Sequence, residues 1–248
     1  MNIDDRIEVI QYDYILSIDV GIKNCSYIIL KNKYHKDNTV DNIVKDLDIV
    51  KFKNLDFSNG ENCNSISLMH LNINVIHNFN REFEVFFEFI KEENANILIL
   101  IEDQMSGRMK CIQNMMASYF IINHYETCYD NIVFFVSPKQ KLKPFNEKGQ
   151  DPFKTPTSSG IVAGCNNHNK NKNKANFIMD NKMIPLMKAE CLDGDGNPKV
   201  FKLKEYIDCY TGLKKQDDMA DAFLQALYYL LNPFTSAENK LINNRYFK

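Results

Sequence analysis

The sequence predicts an α/β fold in which a mixed sheet carries helices on its faces. Three observations predict it. The chain opens on three consecutive short β-branched or aromatic runs, "YDYILSIDV" (12–20), "CSYIILKN" (25–32) and "LDIVKF" (47–52). Two later runs, "NILILIE" (96–102) and "NIVFFVSP" (131–138), are almost wholly apolar and read as buried strands. Between these strands the apolar positions switch to helical spacing. The resulting order, β-β-β-α-β-α-β, is that of a mixed sheet with helices packed on it.

The elements follow in order. The first two runs are joined by a glycine-containing turn and read as an antiparallel hairpin, with a third strand after it. From Ile66 to Glu92, Leu68, Leu71, Val75, Ile76, Phe79, Phe83, Phe86, Phe87 and Ile90 recur at steps of three and four, a long amphipathic helix. "RMKCIQNMMASYFIINHY" (108–125) is a second helix, and Pro138 stops the strand after it. From Lys139 to about Lys174 the pattern fails. Pro144, Pro152, Pro156 and the low-complexity "NNHNKNKNKAN" read as a mobile basic loop. Helices near 175–190 and 200–210 follow, separated by "DGDGNP", and "DDMADAFLQALYYLL" closes the ordered core. With no internal repeat and no linker, 1–248 reads as a single domain with its core at about 14–231 and the basic insertion at about 139–174.

Composition narrows the function classes. Apolar residues make up 44 % and charged ones 25 %, as in a soluble globular protein, and no apolar run approaches the ~18 residues of a membrane span. The net charge of −2 excludes a uniformly basic coat, but Pro138 to Lys188 holds ten lysines against Glu147, Asp151 and Asp180. Seven cysteines without a CxxC, after the acidic start "MNIDDRIEVIQ", predict free thiols and an intracellular protein that is not secreted. The abundance of Asn, Lys and Ile suits an AT-rich genome such as that of a large DNA virus or an organelle.

Four carboxylates stand out. Asp19 ends the first strand in "SIDVGIKN", pointing opposite to Ile18 and Val20, with Gly21 allowing close approach. Glu102 follows five apolar residues and must be solvated, paired or bound to a cation. Asp218 and Asp221, at i and i+3, share one face of a helix. Taken singly, each has a structural explanation: a strand terminus for the first two, a dipole-favoured helix start for the others. Taken together, they form a set of hard oxygen ligands suited to Mg²⁺ or Mn²⁺, and two such ions serve phosphodiester hydrolysis without a covalent enzyme intermediate.

The segments "IDVGIKN", "IEDQMSGRMKCIQNMMASYF" and "KKQDDMADAFLQALYYL" resemble the RuvC-like Holliday junction resolvases of the RNase H-like superfamily, and within them the poxvirus and fungal mitochondrial branch. The resemblance spans about residues 14–231. It implies an RNase H-like five-stranded sheet, three antiparallel strands and then parallel ones. It also implies Asp19, Glu102, Asp218 and Asp221 as catalytic metal ligands holding two Mg²⁺ ions, with Mn²⁺ able to substitute. Asp217 would then be an outer-shell or solvent-facing residue. The implied activity is resolution of four-way DNA junctions by paired symmetric nicks, carried out by a homodimer. The implied location is the cytoplasmic replication site of a virus or, alternatively, the mitochondrion.

Around these ligands, Lys23, Arg108 and Lys110 are placed to contact flanking phosphates, with a solvated surface charge as the alternative for each. Gln104 can orient substrate or support a ligand. Lys170, Lys172 and Lys174 form the densest part of a candidate backbone-binding arm; a merely soluble loop is the alternative. "MMASYF" (115–120) suits the core or a dimer seam. "DGDGN" lacks the Gly and Glu of a calcium loop, and "CNNH" has no second half of a zinc site. Competing functions are another RNase H-like nuclease acting on RNA–DNA hybrids or flaps, and a catalytically inert nucleic-acid binder on the same scaffold. A two-domain actin-like ATPase would need a longer chain.

Overall fold

In the computed structural model, which describes residues 12–33, 39–105, 107–124, 132–145, 167–191 and 201–232, the strands assemble in the order β3-β2-β1-β4-β5. They are β1 (Tyr14–Asp19), β2 (Cys25–Lys31), β3 (Asp48–Leu55), β4 (Ile97–Glu102) and β5 (Ile132–Val136). β1 pairs antiparallel with β2, and β2 with β3, whereas β1–β4 and β4–β5 are parallel. This is the mixed five-stranded sheet, three antiparallel strands and then parallel ones, that the sequence predicts. At the hairpin turn, a Cβ on Gly21 would collide with the Asn24 carbonyl, so only glycine fits there.

Side-chain alternation divides the core into two layers. Tyr14, Leu16 and Ile18 of β1 and Ile97, Ile99 and Ile101 of β4 face α2 (Leu68–Glu92) and α3 (Gly107–His124). Aromatic rings fill this layer: Phe79, Phe83, Phe87 and Phe120 meet one another at 5.1–6.4 Å between centroids. The opposite parity, Ile15 of β1 with Leu98 and Leu100 of β4, faces α7 (Asp217–Leu231). Asp19 and Glu102 have this second parity. α7 is buried almost all round: α4 (Asn167–Ile178), the short α1 (Val40–Lys45) and the turn Gln140–Phe145 pack on it, Tyr206 of α6 (Phe201–Gly212) reaches its Met219 carbonyl, and α5 (Ile184–Cys191) continues the same layer.

The long helix begins two residues later than its periodicity suggests, because Ser67 caps it: its Oγ accepts from the His70 N–H at 3.1 Å. Ser67→Ala should cost about 1 kcal/mol, read as a lower midpoint of chemical unfolding with an unchanged slope.

Two expectations are corrected. α1, one and a half turns capped by Thr39, is too short for periodicity to reveal. The segment read as a mobile basic loop is ordered at both ends: Gln140–Phe145 is a 3-10 turn that buries Lys141, Leu142 and Phe145, and Asn167 begins a helix that runs through the π turn Met179–Met183 into α5. Pro144 is compatible with the turn because a single 3-10 turn asks little of its missing N–H. The stretch 146–166, the "DGDGNP" segment and the tail after Pro233 lie outside the described residues. Met116, Tyr119 and Phe120 are buried, so "MMASYF" belongs to the core. The described cysteines are free, and no helix among the described residues is long and apolar enough to cross a membrane.

Candidate active site

Because β1 and β4 are parallel and Ile18 pairs with Ile101, their last residues, Asp19 and Glu102, emerge side by side at one edge of the sheet on the face that α7 covers. The first turn of α7 arrives at the same edge. Asp221 completes a group of three carboxylates in which one oxygen from each lies within 4.8 Å of the others. Deeper along the same helical face, Gln225 Nε2 donates to the Leu100 carbonyl at 3.3 Å and fixes α7 against β4. Ala220, Ala222 and Ala226 let the helix lie close to the sheet.

The three carboxylates are buried, so their charges must be compensated. A residue absent from the sequence expectations does this. Lys141, 3 % exposed, places its Nζ 2.8 Å from Glu102 Oε1 and 2.7 Å from Asp221 Oδ2. Burial pulls its ammonium toward deprotonation, but Asp221, Glu102 and Asp19 more than reverse this, so it stays charged, above the ordinary lysine range. The sequence did hold a signal for it. Lys141 follows the end of β5, and β5 is parallel to β4, so the chain must leave the sheet at the carboxylate edge. By composition alone it is one of eight lysines between Lys139 and Lys174, with nothing local to set it apart.

One proton is shared within the cluster. Burial, and then the negative charge of Glu102, push Asp19 well above its ordinary value. Burial would raise Glu102 too, but the hydrogen bond from Asp19 and the charge of Lys141 outweigh it and hold Glu102 below its ordinary value. The pair therefore shares a proton, with Asp19 the more readily protonated of the two. Gln104 Nε2 adds a further donor to Glu102 Oε2 at 3.0 Å, the ligand-supporting role open to it from sequence.

Asp218 stands slightly apart. It lines the same cavity, of about 710 Å³, and is ion-paired with Lys215, which follows the last turn of α6. Asp217 is buried rather than solvent-facing, with Lys215 Nζ 3.8 Å from its Oδ2, so the solvent-facing alternative for it is withdrawn. The turn into α7 packs both aspartates inward because nearly every face of that helix is covered.

The remaining sequence candidates separate. Lys23 lines the cavity. Arg108 instead donates to the Ile66 and Asn64 carbonyls, and Lys110 is paired with Asp103 and lies 5.2 Å from the centre of the Phe135 ring. Both have intramolecular partners in this structure. Lys174 is half-buried on α4, and the side chains of Lys170 and Lys172 lie outside the described residues.

The donor set fits a divalent cation. It consists of hard oxygens only, and the carboxylates of the cavity, Asp19, Glu102, Asp103, Asp218 and Asp221, outnumber its lysines, Lys23, Lys141 and Lys215.

No protein-family model matches the chain, and no curated protein does. Among solved structures it is similar to the yeast mitochondrial Holliday junction resolvase, with a TM-score of 0.48 and 17 % identity over 99 % of this chain and 88 % of that one. It is also similar to the fowlpox virus Holliday junction resolvase, at 0.44 and 15 % over 88 % and 96 %. A third is Thermus thermophilus RuvC in complex with a Holliday junction substrate, at 0.41 and 9 % over 88 % and 93 %.

Proposed function

We propose that this chain is a Mg²⁺-dependent endonuclease that resolves four-way DNA junctions by paired symmetric nicks. The observation that carries the hydrolytic part is the buried Asp19, Glu102 and Asp221 group at the end of an RNase H-like sheet, beside an open cavity. The choice of junction DNA follows from the motif resemblance at residues 18–24, 101–120 and 214–230.

Asp19, Glu102, Asp218 and Asp221 would hold the ions, two per site. When bound, such ions supply Lewis acidity toward the phosphodiester and activation of the attacking water. The protein's own groups do the rest. Gln104 fixes the Glu102 carboxylate from behind, and Lys141 keeps Glu102 and Asp221 from repelling each other before metal arrives. Its ammonium, which lines the cavity, would hold a phosphate oxygen as negative charge develops there. Lys23 and Lys215, on the cavity wall, favour the approach of a polyanion. Asp19 must surrender its proton to act as a ligand, so metal uptake should release protons and strengthen as pH rises.

We infer a homodimer as the working form. Met69, Ile73 and Ile76 on α2 and Ile122 on α3 are exposed apolar side chains on two packed helices, and a second copy would cover them. Sedimentation should report twice the 28.9 kDa chain.

Cleavage of a labelled four-way junction, an RNA–DNA hybrid and a plain duplex tests the substrate. Symmetric Mg²⁺-dependent nicks confined to the junction are expected; cutting of the hybrid alone overturns the reading. Asp218→Asn should slow junction cutting by about 10- to 100-fold, the size of effect for a residue at the margin of a metal site. A variant that cuts at the wild-type rate removes Asp218 from the site.

A further inference from the structure

A second polar hollow, of about 460 Å³, opens on the same sheet edge as the carboxylate cavity. Its position follows from strand register: Asp19 pairs with Ser26, and Ser26 with Asn54. The hollow begins at Asn54, two strand spacings or roughly 10 Å from Asp19 along the rim, and its α2 wall lies on the sheet face opposite to the carboxylates. It lies between the end of β3 and the middle of α2, and its lining is almost free of carboxylate. Lys53, Arg81 and His77 supply cationic or protonatable groups, and Asn54, Asn74 and Asn78 supply amides. Asp56, also in the lining, turns its Oδ1 to the backbone N–H and hydroxyl of Ser58 at 2.7 and 2.6 Å.

The charge here is in excess for a structural reason. Glu82, buried on α2, is approached by Lys53 Nζ at 2.5 Å, Lys51 Nζ at 3.4 Å and Arg81 Nε at 3.6 Å, and accepts from Tyr27 OH at 3.2 Å. A single carboxylate would be neutralised by one of these cations. Counting Asp56 as well, three cations face two carboxylates, which leaves one net positive charge beside an anchor, Glu82, that does not itself face solvent. Arg81 is 70 % exposed, and one of its guanidinium N–H groups goes to Asn78 Oδ1 at 2.7 Å, leaving further donors of its five for a ligand. Asn54, Asn74 and Asn78 are bonded to Ser26, the Phe57 carbonyl and the Asn74 carbonyl, so the groups that match phosphate oxygens are the cations anchored from beneath. The open shape suits a backbone that passes through rather than a ligand that is enclosed.

We propose that this hollow is a second phosphate-backbone subsite, which grips a DNA arm two strands away from the catalytic carboxylates. It rests on the reading of the chain as a DNA endonuclease and adds to it a second grip on the DNA, at Arg81 and Lys53, that contributes to binding and not to the chemical step. Contacts of this kind read no sequence, in keeping with recognition of shape.

The test compares wild type, Arg81→Gln and Lys53→Gln for junction binding, with Ca²⁺ replacing Mg²⁺, across a salt series, and for single-turnover cutting at saturating DNA. Each variant should reduce the slope of log affinity against log salt by about one, which is roughly a 3.5-fold change in the ratio of affinities between 50 and 200 mM salt. The cutting rate at saturation should not change. Thermal midpoints separate this from misfolding: Arg81→Gln should keep the wild-type midpoint, and a loss of binding seen only in a destabilised Lys53→Gln counts against the proposal. Unchanged slopes in both variants, beside a wild type that binds and cuts, overturn it. So does a slower saturated cutting rate, which would move Arg81 into the catalytic machinery. A free nucleoside monophosphate that binds wild type as tightly as the junction, and is lost in Arg81→Gln, would make the hollow a nucleotide pocket instead. A wild type that binds junctions with the full salt slope but cuts nothing overturns the nuclease reading and leaves the subsite standing; one that binds no DNA overturns both.

Discussion

Asp19→Asn should abolish junction cutting, by about 10³-fold or more in single-turnover rate, while leaving the metal-free protein at least as stable as the wild type. The two halves of this result come from one arrangement. In the metal-free protein Asp19 is the more readily protonated member of the pair and is hydrogen-bonded to Glu102. An asparagine amide can keep that hydrogen bond but cannot become the anionic ligand that a divalent cation requires. The pH dependence follows in sign. A carboxyl whose folded pKa lies above its ordinary 3.8 holds its proton better in the folded state, so its contribution is greatest below 3.8 and is lost as pH rises through the raised folded value. Metal-free wild type should therefore lose stability relative to Asp19→Asn as pH climbs through that window, and added Mg²⁺ should reverse the order. Thermal unfolding at several pH values, with and without Mg²⁺, reads both. A variant markedly less stable than wild type without metal would mean that Asp19 is ionised and paired there.

Lys141→Met should be the more damaging substitution for the fold. It removes the ammonium 2.8 Å from Glu102 and 2.7 Å from Asp221 and so strips a buried carboxylate pair of the cation it shares, a change worth about 3–5 kcal/mol when one partner of a buried pair is deleted. Activity should fall as well. Two readouts separate folding from chemistry. Excess Mg²⁺ should recover part of the lost midpoint, since an ion bound by the folded state alone stabilises it by mass action. Cutting should stay low even where Mg²⁺ has restored the fold, because no other described cation occupies the cavity floor. Full recovery of cutting at high Mg²⁺ would reduce Lys141 to a counter-ion.

The strand order along the chain, the two main helices of the aromatic layer and the four acidic positions were legible in the sequence because each rests on local information. Alternation, helical spacing and a carboxylate abutting an apolar run are all properties of a few neighbouring residues. The metal-site expectation needed one further ingredient, the conjunction of weak local signals in one chain order. That conjunction pointed to Asp19, Glu102 and Asp221, which the fold brings together, and to Asp218, which shares their cavity but is paired with Lys215.

Lys141 and the excess charge around Glu82 were not legible in this way. Lys141 lies in a proline-containing, lysine-rich stretch whose composition is that of a solvated loop, and it is buried only because the parallel β5 delivers it to the carboxylate edge. Glu82 sits on the α2 face toward β3, yet Lys51 and Lys53 reach it across 31 and 29 residues of sequence. Asp217 looked like one more solvated acid at a helix start, and becomes buried because other elements enclose α7 on every side. Local periodicity by itself determined which residues form strands and helices and which of their faces turn inward. Which charges meet was decided only by the tertiary structure, because strand register and helix packing bring together groups that no sequence window contains.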